Sequence, residues 1–300
     1  MASKLYRVFH EPLYLPWCLW HKLSPLIKDD TFYLKIDYLL SVGHKLKLEN
    51  PKTFNEKLQW LKLHDRRPEY TKMVDKYEAK EYVRSILGDE YIIPTLALWN
   101  KVEDIDISQL PNEFVLKCTH DSGCVLICKD KETFDIKAAR KKLSKRMKKE
   151  FFLEHREWPY KNVKPRIIAE QYMVDESGTE LKDYKFFCFN GTPKMLLVVS
   201  ERSNDAHYDF LDLNYRLLPF ERGHKNSRKT PDKPVSFDKM LRLAERLSRN
   251  IPFVRVDFYE INSKPYFGEL TFYPASGCGR FEPEYWDYKV GSWLELPINK

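Results

Sequence analysis

The chain has 300 residues, 43% apolar and 32% charged, with 51 Lys and Arg against 44 Asp and Glu for a net charge of +7. That length supports one large or two small domains with a substantial core, and the composition fits a soluble globular protein and excludes a disordered one. Six cysteines in a lysine-rich chain without a signal peptide point to free thiols in a reducing cytoplasm, not to a disulfide scaffold.

The first seventy residues read as helical. The apolar run LYLPWCLW (13–20) is too short to span a bilayer and contains Pro16; burial is favoured over a place on a membrane surface. Thr53, with Glu56 three positions on, forms the sequence signature of a capping box opening a helix through Leu63. A second helix is expected to start after Asp75 and to stop at Gly88, with that glycine as a left-handed cap.

From Tyr91 the pattern turns to short β-rich runs: YIIP, FVLKCTH, CVLICKD, RIIAEQYM, DYKFFCFNG, PKMLLVVSE and HYDFLDLN. A helix at about 133–151 interrupts them, with Ile136, Ala139, Leu143, Met147 and Phe151 on one stripe. Eight Lys and Arg between Lys137 and Lys149 make its outer face basic. Such a face can meet anionic lipid, but a solvated surface is the favoured account; no nucleic-acid-binding motif accompanies it, so nucleic acid is not an expected partner. A second amphipathic helix, SFDKMLRLAERLSRN, precedes a final hairpin. Strands and helices intermix without βαβ alternation, which predicts an α+β fold with antiparallel sheets. The expected division is a helical region, 1–70, followed by a body, 71–300, whose two lobes part near 174–182 at the polar turn DESGTE.

The hairpin FVRVDFY (253–259) and FGELTFYP (267–274) is the most informative feature. Alternation places Arg255 and Asp257 on one face. A three-residue loop, Asn262 to Lys264, sets Asp257 opposite Glu269 and Arg255 opposite Thr271; a two-residue loop throws the carboxylates onto opposite faces. Two carboxylates about 4 Å apart repel by about 4 kcal/mol at an effective dielectric of about 20. A divalent cation between them offsets that cost, and oxygen ligands suit Mg²⁺; pairing of Asp257 with Arg255 or a nearby lysine is the structural alternative.

Other candidates are spread along the chain. Lys117 ends the strand FVLK just before the small-residue loop THDSG, a place where an ammonium and backbone N–H groups can hold phosphate. Cys118, His120, Cys124 and Cys128 have spacings that hint at zinc, but strand geometry argues against it. Glu170 sits in an apolar strand, either opening a nucleotide-binding hinge or pairing with Arg166 or another base. Asp183 and Lys185 share a strand face and could reach a ribose and a phosphate, or pair with each other. Trp158, Tyr160 and Lys161 could stack on a sugar or anchor the chain, and Arg202, Arg255 and Arg280 could clamp a carboxylate or phosphate.

Together these pieces resemble an ATP-grasp enzyme, and more closely the TupA-like branch associated with bacterial surface polysaccharides. The resemblance runs from FNEKLQWLK (54–62) to the end and is carried by FVLKCTHDSG, EWPYK, IIAEQYM, DYKFFCFNG, FVRVDFY and FGELTFYP. It implies ATP and Mg²⁺ as cofactors. Lys117 would contact the phosphates beneath a loop of His120, Ser122 and Gly123; Glu170, Gln171 and Tyr172 would hold the adenine edge, with Asp183 near the ribose. Asp257 and Glu269 would carry Mg²⁺, with Thr271 where many relatives place Asn. Arg255, Lys185 and Arg202 would act at the transferring group. The implied reaction is ligation of an amine to a carboxylate-bearing sugar or polysaccharide precursor through an acyl-phosphate. The alternatives are a kinase of such a precursor and an inert polysaccharide- or membrane-associated binding protein. The expected location is the cytoplasm, with docking at the inner membrane face as a further hypothesis.

Overall fold

The computed structural model describes residues 12–176, 181–200 and 206–297. The N-terminal region is helical as expected: α1 (Tyr14–Leu23), α2 (Asp30–Val42), α3 (Phe54–His64), α4 (Glu69–Val74) and α5 (Glu78–Leu87). The capping box forms, with the Thr53 hydroxyl accepting from the Glu56 amide at 3.1 Å and the Glu56 carboxylate accepting from the Thr53 amide at 3.1 Å. Before α5, the Asp75 carboxylate accepts from the Tyr77 and Glu78 amides. Gly88 ends α5 at φ 105° and ψ 167°, so it has the positive φ that glycine tolerates but not the left-handed helical cap expected of it.

Burial of LYLPWCLW is not what the fold provides. The run forms α1, which has no fully buried residue. Leu15, Leu19 and Leu23 recur every fourth residue and are 51%, 60% and 48% exposed. Trp17, Trp20 and His21 take the packed face, against Tyr33 and His155.

The expected YIIP strand is also displaced. Asp89–Tyr91 is a 3₁₀ turn, and pairing begins only at β1 (Thr95–Trp99), after Pro94, which has no N–H to donate to a ladder. β1, β2 (Phe114–Cys118), β3 (Val125–Cys128) and β4 (Ile167–Gln171) form an antiparallel sheet in the order β1-β4-β2-β3. Its back face, built on Phe114, Leu116, Cys118, Ile167 and Ala169, packs against Leu143 of α6 (Ile136–Met147). The basic face of α6 points outward. A single-turn helix, α7 (Phe152–His155), follows.

The second sheet has the order β7-β6-β5-β8-β9 and is antiparallel throughout. Its strands are β5 (Asp183–Phe189), β6 (Thr192–Ser200), β7 (His207–Leu211), β8 (Phe253–Ile261) and β9 (Lys264–Thr271). The back face is covered by α8 (Phe237–Ser248), with Phe237 5.8 Å from Phe186 between ring centres. On the front face, Phe54 of α3 packs on Phe253 at 4.9 Å and Phe189 at 5.7 Å. The helix before the sheets is therefore part of the same core. A last helix, α9 (Tyr285–Gly291), packs on α3, where Asp287 accepts from the backbone and side chain of Asn55.

Register in the β8–β9 hairpin is set differently from expectation. The loop has two residues, Asn262 and Ser263, both at positive φ (51° and 57°), with Ile261 paired to Lys264. Uninterrupted, that register would pair Asp257 with Gly268. A bulge restores the useful alignment: Phe258 pairs with Phe267, then Asp257 with Glu269 and Arg255 with Thr271. Gly268 is the extra residue, and a Cβ there would stand 3.1 Å from the Asp257 carbonyl oxygen. The bulge lets Phe267 and Leu270, three apart, both face the core while Glu269 faces the front.

Candidate active site

Antiparallel pairing brings Lys185, Asp257 and Glu269 into one row across β5, β8 and β9. Asp257 is 1% exposed and fully engaged: Arg255 grips it in a two-pronged bond at 2.7 Å each, and Lys185 donates to it at 2.5 Å. Lys185 also reaches Asp183 at 3.2 Å. The same Arg255 guanidinium donates to Glu269 at 2.8 Å and to the Thr271 hydroxyl at 3.0 Å, and Thr271 donates to Glu269 at 3.1 Å. Glu269 is half exposed. Burial pushes its carboxyl up, but Lys185, Arg255 and Lys76 outweigh this and hold it at about 2. Asp183, Lys185, Arg255, Asp257, Glu269 and Thr271 thus form one contiguous group.

The four-stranded sheet carries a second group. Lys117 on β2 donates to one oxygen of Glu170 on β4 at 2.5 Å, and Lys80 of α5 binds the other. Lys80 also donates to the Ile93 carbonyl at 2.8 Å and the Thr95 hydroxyl at 3.1 Å. Burial raises the Glu170 carboxyl, but the two ammonium groups overcome it and bring it to about 2. The partners of Glu170 are therefore Lys117 and Lys80; Arg166 instead pairs with Asp75 and Glu78. Val125 lies opposite Lys117 and Ile127 opposite Val115, so both share its face, and they are 46% and 51% exposed. They give the charged group an apolar wall.

Lys76 links the two groups. Its amide donates to the Thr119 carbonyl and its ammonium to the Asp121 carbonyl. Burial lowers its affinity for a proton, while Glu269 and Asp121 raise it. It thus lies within electrostatic reach of Glu269 on one sheet and of Lys117 and Glu170 on the other. Sequence reasoning missed Lys76 and Lys80; the available signal was their spacing of four at the opening of the helix after Asp75.

The loop after β2 is anchored from below. Asp121 is buried and paired with Arg146 of α6 at 2.5 Å, and Arg146 also donates to the Ser122 carbonyl at 2.6 Å. His120 does not face outward as a phosphate-contacting loop residue would: it is buried, 3.2 Å from the Arg146 carbonyl, and burial lowers its pKa. Ser122 and Gly123 occupy the exposed tip, with Gly123 at φ 83°. Gln171 lines a cavity of about 660 Å³ with Tyr77, Arg84, Thr95 and Tyr266. Tyr172 turns elsewhere, under Lys129. Arg280 is not in this group, since it donates to the Ser41 carbonyl, and Arg202 lies outside the described residues. Tyr160 packs on Phe151 at 4.6 Å, close enough to Glu269 and Arg255 for their charges to act on its hydroxyl. Among the described residues, Cys118, Cys124 and Cys128 join no metal-type cluster.

Chemically, the two groups offer cations for phosphate, an apolar strip for a flat base, and a carboxylate pair. Asp257, Glu269 and Thr271 supply only oxygen donors, which fits Mg²⁺ carried on a phosphate chain with its remaining positions filled by water and phosphate oxygens. The half-exposed Glu269 is directly available for it. Asp257 would have to release Lys185 or one prong of Arg255.

No curated protein sequence matches the chain. Solved structures with a similar fold include a D-alanine–D-alanine ligase from Bacillus anthracis complexed with ATP, at 12% identity and TM-score 0.40, covering 67% of this chain and 53% of that one. A D-alanine–D-alanine ligase from Helicobacter pylori has 15% identity and TM-score 0.40, covering 74% and 61%. A RimK domain ATP-grasp protein from Sphaerobacter thermophilus has 13% identity and TM-score 0.41, covering 75% and 69%. The chain thus spans little more than half the length of the first of these. The TupA-like ATPgrasp family profile matches residues 56–295, from the helix under the five-stranded sheet to beyond the last helix. The chain belongs to the TupA-like ATP-grasp family.

Proposed function

We propose that this protein is an ATP- and Mg²⁺-dependent carboxylate–amine ligase acting in bacterial surface polysaccharide synthesis. The observation that carries the reading is the bulge-set pairing of Asp257 with Glu269 beside Arg255 and within electrostatic reach of Lys76, in a chain of this family. In the proposed reaction a carboxylate oxygen of the acceptor attacks the γ-phosphorus of ATP and ADP leaves. The amine nitrogen then attacks the acyl carbon, the carbon–oxygen bond to phosphate breaks, and the amine proton passes to solvent. Mg²⁺ held by Asp257 and Glu269 would neutralise phosphate charge. Arg255 and Lys185 are assigned to the transferring phosphoryl group, Lys117 and Lys76 to the phosphate chain, and Ser122 and Gly123 to a covering tip that excludes water. The boundary between the lobes is read near 174–182, of which 177–180 lie outside the described residues, with the helical region 1–70 preceding the body 71–300.

Phosphate release measures the outcome. A ligase liberates inorganic phosphate in step with amine consumed, with glucuronate and simple amines as first probes. A kinase leaves the phosphate on product, and an inert binding protein shows no magnesium-dependent nucleotide binding at all.

A peripheral place on an anionic membrane belongs to the same proposal. Leu15, Leu19, Leu23 and Leu26 form an exposed apolar stripe, and the Ser24–Leu26 turn packs on α7, which directly follows the basic helix α6. Apolar insertion flanked by lysines is the chemistry of an interfacial helix. Sedimentation with vesicles containing anionic lipid is expected to fall at least tenfold when Leu15, Leu19 and Leu23 become Ser. It is expected to become weaker and salt-independent when Lys141, Lys142 and Lys145 become Glu. Arg146 is left out of that set because it holds Asp121. Equal sedimentation of all three proteins would remove the membrane from the proposal.

A further inference from the structure

Three side chains from three helices converge away from the charged groups of the two sheets. His21 of α1 places Nε2 2.9 Å from one oxygen of Asp37 on α2, and His155 of α7 places Nδ1 3.0 Å from the other. All three ligand atoms lie within 4.8 Å of one another, and among the described residues no other group of three such side chains does so. Asp37 is 1% exposed, and the imidazoles are 16% and 21% exposed. The two rings stand edge-to-face at 4.7 Å, and Trp17 closes over His21 at 4.2 Å. His155 and Trp17 also line a cavity of about 1040 Å³ with Cys278 and Arg280.

Two nitrogens and a carboxylate oxygen form a donor set of the zinc type. Ligands about 2.0–2.2 Å from a tetrahedral ion stand about 3.3 Å apart. The two nitrogens now meet different oxygens of Asp37, at 2.9 and 3.0 Å, so side-chain rotation must draw them onto one oxygen, within the 4.8 Å that already bounds the three ligand atoms, for an ion to sit among them. A second observation concerns what the cluster holds. Since α1 buries no residue fully, its attachment to the body depends on few contacts, and these three residues tie α1, α2 and α7 together by side-chain hydrogen bonds beside the ring contacts of Trp17 and Trp20.

We propose that His21, Asp37 and His155 bind one divalent first-row transition-metal ion, zinc by donor set, which fastens α1 to the body and keeps its fourth position toward the cavity. The site is separate from the Asp257–Glu269 pair and does not rest on the nucleotide reading.

The test is calorimetric titration of Zn²⁺ alone into the chelator-treated full chain, with Co²⁺ absorption as a reporter of ligands. One equivalent is expected to bind, with tetrahedral cobalt bands, no thiolate charge-transfer band, and a higher thermal midpoint. His21→Gln and His155→Gln keep a hydrogen-bond donor for Asp37, so their metal-free midpoints should match wild type. Each should lose zinc affinity at least 100-fold and leave Mg²⁺–nucleotide binding unchanged. Absence of stoichiometric binding in the wild-type chain, unchanged affinity in both variants, or a thiolate band would each overturn the proposal.

Discussion

Glu269→Gln is expected to cost at least 100-fold in the affinity for Mg²⁺–ATP analogue, about 2.7 kcal/mol, while leaving the fold intact. The side chain is half exposed, and its carboxylate makes two hydrogen bonds, from Arg255 and Thr271. The amide keeps an oxygen for those donors and the same shape, so unfolding in urea should shift by no more than about 0.5 kcal/mol. What it loses is charge. Glu269 is held ionised, at about 2, by Lys185, Arg255 and Lys76, so at neutral pH it is available to a cation without first giving up a proton. Asp257 is different: its oxygens are already taken by Arg255 and Lys185, and it can engage a metal only by exchange. On the proposed reading, removing Glu269 removes the ligand that would meet the ion first. Titration calorimetry with and without Mg²⁺ is the measurement. Binding that survives the substitution, or that never depended on Mg²⁺, would detach the carboxylate pair from the nucleotide and bring the structural pairing with Arg255 forward as its whole role.

The hairpin illustrates how much of this site could be read without coordinates. Strand alternation was enough to group Arg255 with Asp257 and Glu269 with Thr271, because a period of two follows from covalent geometry alone. It was not enough to count the loop. A two-residue turn with a compensating bulge and a three-residue turn without one give the same facing residues, and the difference lies in whether Gly268 takes a place in the ladder. Partners that come from a different element were harder still. Glu170 could be flagged as an expensive carboxylate in an apolar strand, yet its lysines come from β2 and from α5, 53 and 90 residues away in sequence. The error at α1 has another cause. Its leucines and tryptophans are equally apolar in composition, and only packing against α2 and α7 decides that the tryptophans turn inward and the leucines outward.

Glu170→Leu is expected to destabilise the protein by about 3–5 kcal/mol at neutral pH, the cost of leaving a buried charge without its counter-ion. The stranded charge is Lys80, 6% exposed, whose remaining partners are the Ile93 carbonyl and the Thr95 hydroxyl. Burial already lowers its pKa, and Glu170 is the main group opposing that. The double variant Glu170→Leu with Lys80→Met replaces the buried pair by apolar side chains and should recover at least half of the loss, giving a coupling energy of about 2 kcal/mol in a urea-unfolding cycle. Acid provides an independent check. The carboxyl lies at about 2 in the folded chain against an ordinary value near 4.5. Its contribution of about 3 kcal/mol is present above the unfolded value and is lost as pH falls from about 4.5 to about 2, and that portion of the acid unfolding curve should flatten in Glu170→Leu. The substitution also frees Lys117, which Glu170 holds at 2.5 Å. If Lys117 exchanges that carboxylate for a phosphate, Mg²⁺–nucleotide affinity in the variant should hold or improve even as stability falls. A parallel decline in both would mean that Glu170 itself contacts the nucleotide, and a stability change under about 1 kcal/mol would mean that the two ammonium groups are hydrated well enough not to need it.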